Sequence, residues 1–196
     1  MQSAVAPEPM ALSQRELDQA RSFLQQTQET VICATRGLSD SQWNFKPSPD
    51  RWSIAQNLDH IVIVLERVLG PVMDQLANAP APPDGVDCEI VDAIVINQFP
   101  ARLTRATAPE FLNPAAEICP RELLERLEKN YAALNERLIS TADLRRHAIE
   151  APPLRFVTNN AYSFMDGYQW ILAAAAHTER HANQMREVMA SPGYPA

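Results

Sequence analysis

The stretch Ser53–Leu76, SIAQNLDHIVIVLERVLGPVMDQL, decides the fold. Ile54, Leu58, Ile61, Leu65, Val68, Val72 and Leu76 recur at three- and four-residue steps, the near-heptad stripe of a helix that packs in a bundle. Ser53 and Gln56 have the spacing of a capping box and open this helix directly after Trp52. Pro71 sits inside the stripe and predicts a kink or an early end near Gly70.

Upstream, Ser13 and Glu16 form another capping box. Leu17, Ala20, Leu24, Val31 and Leu38 follow at helical steps, with Thr27 and Thr35 between them, so a first helix is expected over 13–37, ended by Gly37. Residues 39–51, with Pro47 and Pro49, read as a connector and residues 1–12 as a flexible tail. Downstream, seven prolines divide residues 78–120, where 89–99 suits a short helix. So long a connection is usually functional or crosses the domain. Pro120 fits the first turn of a third helix, with Leu124, Leu127, Tyr131, Leu134 and Leu138 as its core stripe. After Pro152 and Pro153, a fourth helix is expected over about 164–190, ended by Ser191, Pro192 and Gly193. No strand-like alternation appears. The expectation is an all-α four-helix bundle in one domain over 13–190, with a long connection between helices 2 and 3.

The net charge is −7 over 196 residues and no basic run occurs, which argues against a nucleic-acid partner. Only five glycines are present, and neither GxGxxG nor GxxxxGK occurs, so a glycine-rich nucleotide loop is not expected. Cys33, Cys88 and Cys119 are odd in number and form no CxxC pair, which fits a reducing cytoplasm. No signal-peptide pattern and no bilayer-spanning stretch is found, so a cytoplasmic protein without a membrane partner is expected.

Chemistry centres on the four histidines. His177 and His181 lie four apart, about 40° apart on the helix wheel, on the arc of Trp170, Ala174, Met185 and Val188. Two imidazoles on an apolar stripe are either core residues with buried hydrogen-bond partners or ligands of a shared cation. Glu179 is two residues past His177, which is not the HExxH of zinc proteases, and it points away from the pair as a solvated residue. His60 sits on a flank of its helix, facing either a cleft between helices or water. His147, beside Arg145 and Arg146, reads as surface. Cys33 reads as a small buried hydrophobe, Asp166 as a first-turn acid and Tyr168 as a packing aromatic. No nucleophile-elbow GxSxG is present.

The run Trp52-Ser53-Ile54-Ala55-Gln56-Asn57-Leu58-Asp59-His60, after Pro47-Ser48-Pro49, resembles the first motif of the DinB/YfiT-like family. His177-Thr178-Glu179-Arg180-His181, followed by Gln184, resembles the second. Ala108–Pro114 is similar to that family's long connection, and the resemblance covers roughly residues 13–190. It implies a four-helix bundle of unusual connectivity and a divalent metal, often zinc or nickel, held by three histidines that map onto His60, His177 and His181. One position departs: the acid often found four residues before the first histidine is Gln56 here, and an amide cannot act as a carboxylate base.

Two classes of function follow. In the first, the chain is a metal-dependent enzyme acting on a small molecule. The resemblance implies a thiol-dependent S-transferase, with a low-molecular-weight thiol as co-substrate, or a hydrolase. Few acids accompany the histidines, which favours transfer, because an ionised thiol needs little further acid–base help. Trp52, Trp170 and Phe164 are candidates for apolar pocket walls, and Gln56, Asn57 and Gln184 for groups supporting the ligands. In the second, the chain is a non-catalytic binding bundle with a stress-related role. A homodimer is an open alternative that no sequence feature establishes.

Overall fold

The structure is a computed structural model that describes residues 11–101, 108–115 and 118–196. The expected tail therefore lies, up to residue 10, outside the described residues. Helix α1 spans Gln14–Thr35 and is opened by the Ser13–Glu16 capping box. The stretch expected as a connector holds a short helix, α2, Asp40–Asn44, opened by a Ser39–Gln42 box and burying Trp43. Helix α3 spans Ile54–Val64, opened by the Ser53–Gln56 box. A π turn, Leu65–Leu69, joins it to α4, Gly70–Leu76. Helix α5 is Cys88–Gln98, and a 3₁₀ turn follows at Glu110–Leu112. Helix α6 is Pro120–Ser140. Strand β1, Ala148–Glu150, helix α7, Pro152–Val157, and strand β2, Phe164–Asp166, precede helix α8, Gly167–Met189.

The π turn corrects the expected stripe. Its wider winding gives the Gly70 N–H to the Leu65 carbonyl, five residues back. That adds one residue to the turn and moves every later side chain by one position. Leu69 and Met73 are therefore buried in place of Val68 and Val72, which are only partly buried, while Leu76 is buried as expected. Pro71, which has no N–H to give, sits in the first turn of α4, where none is needed. A smaller correction applies to α6, where Leu123 is buried and Leu124 is half-buried.

Side-chain pairs fix the helix directions. Glu66 accepts from Arg126 at 2.6 Å, and further along Asp74 accepts from Arg137 at 2.9 Å, so α3–α4 and α6 run parallel. The Tyr168 hydroxyl donates to the Glu16 carbonyl at 2.9 Å near the starts of α8 and α1. Near their ends Cys33 and Ala34 share a surface hollow with Arg186 and Met189, so these two helices are also parallel. Arg51 pairs with Glu187 at 2.8 Å and Asn57 meets His181, which sets α3 antiparallel to α8. The order is up, down, down, up. Two parallel neighbours cannot be joined by a tight turn, so residues 77–119 carry the chain back to the start of α6.

The core lies between α1, α3, α6 and α8, with α5 packed on α8. Ala173, Ala174, Ala175 and Ala176 are all buried and let neighbouring helices come close to α8. At the centre Thr27 and Tyr131 join their hydroxyls at 3.1 Å, linking α1 to α6.

The fourth helix begins later than expected because β1 and β2 form a two-stranded antiparallel ladder in which Phe164 faces Glu150 and Asp166 faces Ala148. Strands of three residues are too short to show an alternation in sequence. Asp166 ends this ladder as the N-cap of α8, accepting from the Gln169 N–H at 2.8 Å, rather than as a first-turn acid. Buried Arg145 binds it at 2.9 Å and also binds Asp92 and Glu16, both at 2.6 Å. One guanidinium thus ties α1, α5 and the start of α8, with its carbon 4.4 Å over the Tyr168 ring.

Candidate metal centre

Helix α3 places His60 two turns from its start, and α8 places His177 and His181 on one face. The antiparallel crossing brings them together. Ring centroids are 5.1 Å apart for His60–His177, 4.6 Å for His60–His181 and 4.5 Å for His177–His181. One nitrogen from each lies within 4.8 Å of the other two.

The outer edges of two rings are fixed. His60 Nδ1–H donates to the Leu112 carbonyl at 2.8 Å, in the 3₁₀ turn. His181 Nδ1–H donates to Asn57 Oδ1 at 3.0 Å, while Asn57 Nδ2 donates back to the Ser53 carbonyl at 2.9 Å. Both bonds put the donor proton on Nδ1 and the lone pair on Nε2. His177 Nδ1 is buried and has no hydrogen-bond partner among the described residues. Burial holds His177 at about 3, helped by His60 and Arg180, and burial also lowers His60 against the pull of the Leu112 carbonyl and Asp59. Both imidazoles are therefore neutral at pH 7, the state in which a histidine donates a lone pair to a metal. A clustered trio of imidazoles, two of them held neutral and one of these with an orphaned nitrogen, fits a small divalent cation.

The trio lies in a cleft of about 1400 Å³. Trp52 covers one side, its ring centroid 4.8 Å from that of His60 and 5.9 Å from that of His181, stacked on the latter. Asn57, Trp170 and Gln184 also line the cleft. Phe164 does not, because its place in β2 keeps it among the ladder residues. Gln56 does not either: its Oε1 accepts from the Ser53 N–H at 3.1 Å, so the amide does the capping work that a glutamate would do there. Glu179 is half-buried and stands outside the histidine cluster. His147, expected at the surface, is half-buried, with its ring bonded to the Ala79 carbonyl. Cys33, expected in the core, is exposed.

Sequence reasoning missed the Leu112 carbonyl, because a backbone acceptor 52 residues away leaves no residue-type signal. It also missed Asp59, whose Oδ2 accepts from the Ala115 N–H at 2.7 Å and so holds the segment that carries Leu112. An acid directly before a candidate ligand was the available signal.

YuaE of Bacillus subtilis (strain 168), an uncharacterized protein, is 25% identical over 154 residues, covering 78% of this chain and 86% of YuaE. Among solved structures, YfiT from Bacillus subtilis is similar with a TM-score of 0.58 at 13% identity, covering 97% of this chain and 95% of YfiT. YfiT is described as a probable metal-dependent hydrolase with an unusual four-helix bundle topology. At this identity the likeness is one of fold. The sequence profile of the DinB superfamily matches residues 23–185, and the chain belongs to that superfamily.

Proposed function

We propose that this protein is a metal-dependent enzyme in which His60, His177 and His181 hold one divalent ion and a small molecule enters through the cleft. The observation that carries the reading is the trio itself: two imidazoles oriented by Leu112 and Asn57, beside a third with a buried, unpartnered nitrogen. Zinc or nickel suits imidazole donors. Held by three imidazole lone pairs, such an ion would keep its full charge and would supply Lewis acidity that ionises a thiol or water.

The chain's own residues support thiol transfer as the finer reading. Among the described residues no Asp, Glu or Cys joins the three histidines, and the acids that line the cleft, Asp50 and Glu187, stand outside the cluster. Transfer from a low-molecular-weight thiol needs no carboxylate base once the thiol is ionised. Trp52 and Trp170 give the cleft apolar walls, and Gln184 and Asn57 give it polar points. Hydrolysis is the second reading, favoured by the description of YfiT. Three cysteines with no pairing pattern suit a reducing cytoplasm, where such thiols are abundant.

The test is a pair of assays on zinc- or nickel-loaded protein: thiol conjugation to an aryl halide, and hydrolysis of aryl esters. Thiol consumption that requires the metal and disappears in His177→Ala supports transfer. Metal-dependent ester cleavage without thiol supports hydrolysis. Turnover indifferent to both metal and His177 contradicts the metal-dependent reading.

A further inference from the structure

Three side chains of the α3 arm reach the segment 110–115. Arg67 Nη1 donates to the Phe111 carbonyl at 2.8 Å, His60 Nδ1–H to the Leu112 carbonyl at 2.8 Å, and Asp59 Oδ2 accepts from the Ala115 N–H at 2.7 Å. The segment is a strap lying along the helix, and Leu112 and Asn113 also line the cleft. His60 is thus oriented by a backbone carbonyl in a loop. A loop carbonyl orients a ring only if the loop is itself held. Arg67 is exposed, whereas Asp59 is 5% exposed. Placing a carboxylate at a buried helix position is costly unless it is hydrogen-bonded, and the Ala115 amide provides such a bond.

We propose that Asp59 is a positioning residue for the metal site: it anchors the strap at Ala115, and the anchored strap presents the Leu112 carbonyl that sets the tautomer and ring angle of His60. The proposal rests on the reading of His60, His177 and His181 as metal ligands. Residues that orient metal-binding histidines change metal affinity by roughly 10- to 100-fold when removed. Asp59 acts one bond further out, so a loss of about tenfold is expected in Asp59→Ala. Asp59→Asn keeps an oxygen acceptor for Ala115 and is expected to stay within about threefold of the native protein. Ala115→Pro deletes the same hydrogen bond from the other side, without touching α3, and is expected to match Asp59→Ala.

The experiment measures zinc affinity by competition with a chromophoric chelator, with far-UV circular dichroism as a check of folding. The same proteins, labelled with ¹⁵N, are examined for the His60 Nδ1–H signal, which a hydrogen bond protects from exchange. Loss of affinity and of this protected proton in Asp59→Ala and Ala115→Pro, with both kept in Asp59→Asn, supports the proposal. Native affinity in Ala115→Pro, or an Asp59→Asn as weak as Asp59→Ala, overturns it. Should Asp59→Ala not fold, the other two variants decide. A native protein that binds no zinc, nickel or cobalt overturns the ligand reading and this inference with it.

Discussion

His181 Nδ1–H donates to Asn57 Oδ1 at 3.0 Å, from α8 to α3. This bond fixes one candidate ligand by a residue three positions before another, so the two helices set each other's histidines. Asn57 is 1% exposed, and its amide is held in turn by the Ser53 carbonyl. Replacing it with alanine is expected to weaken metal binding roughly 10- to 100-fold while leaving the helical content unchanged. Chelator competition on Asn57→Ala checks this. Unchanged affinity would mean that His181 needs no orienting partner.

Arg145 stands among Glu16, Asp92 and Asp166, and removing it leaves three carboxylates without their shared cation. Breaking a buried ion network from one side usually costs about 3–5 kcal/mol. Arg145→Met is expected to lose stability of that order, read from urea unfolding. A loss under about 1 kcal/mol would show that water reaches the site and screens the acids.

Burial pushes the Asp166 carboxyl up to about 6 from its ordinary 3.8, against the opposing pull of Arg145. Asp92 and Glu16 meet the same guanidinium and compete for it. The folded state therefore binds this proton more tightly than the unfolded chain. The stability it contributes is present below about pH 4 and is lost as pH rises through about 6. Asparagine keeps the cap but cannot titrate. The melting temperature of the native protein relative to Asp166→Asn is expected to fall between pH 4 and 7. A difference that grows with pH instead would show that Arg145 outweighs burial.

Gly167, the first residue of α8, has no room for a side chain. A Cβ there would lie 2.9 Å from both the Leu144 carbonyl oxygen and its Cδ2. The Leu144 carbonyl also accepts from the Gly167 N–H at 2.7 Å, so the backbone cannot move away freely. Gly167→Ala is expected to cost about 1–3 kcal/mol, measured by thermal or urea unfolding. No loss would mean that the segment before β1 shifts without strain.

The sequence makes the helices legible wherever a start signal and a stripe coincide, as at the capping boxes of Ser13 and Ser53 and at the first-turn Pro120. It brings out His177 and His181 because four residues of helix put them on one face. The stripe of α3–α4 misses at Val68 and Val72, because a π turn adds a residue that a period of 3.6 does not contain. Cys33 fails because residue type alone favoured burial, while its position on α1 turns it outward. Arg145 carries no local signal of its role, since its three acids come from positions 16, 92 and 166. Long-range partners of this kind, like the Leu112 carbonyl on His60, are properties of the fold rather than of any local pattern.

The most direct measurement of the central claim is metal stoichiometry. Native protein, His60→Ala, His177→Ala and His181→Ala would be stripped with chelator, incubated with equimolar zinc or nickel, desalted and analysed for metal. About one ion per native chain is predicted, with each variant severely depleted yet still helical by circular dichroism, because two histidines hold a divalent ion poorly. Native protein that retains no ion, or a His177→Ala variant that retains as much as the native chain, would contradict the three-histidine centre.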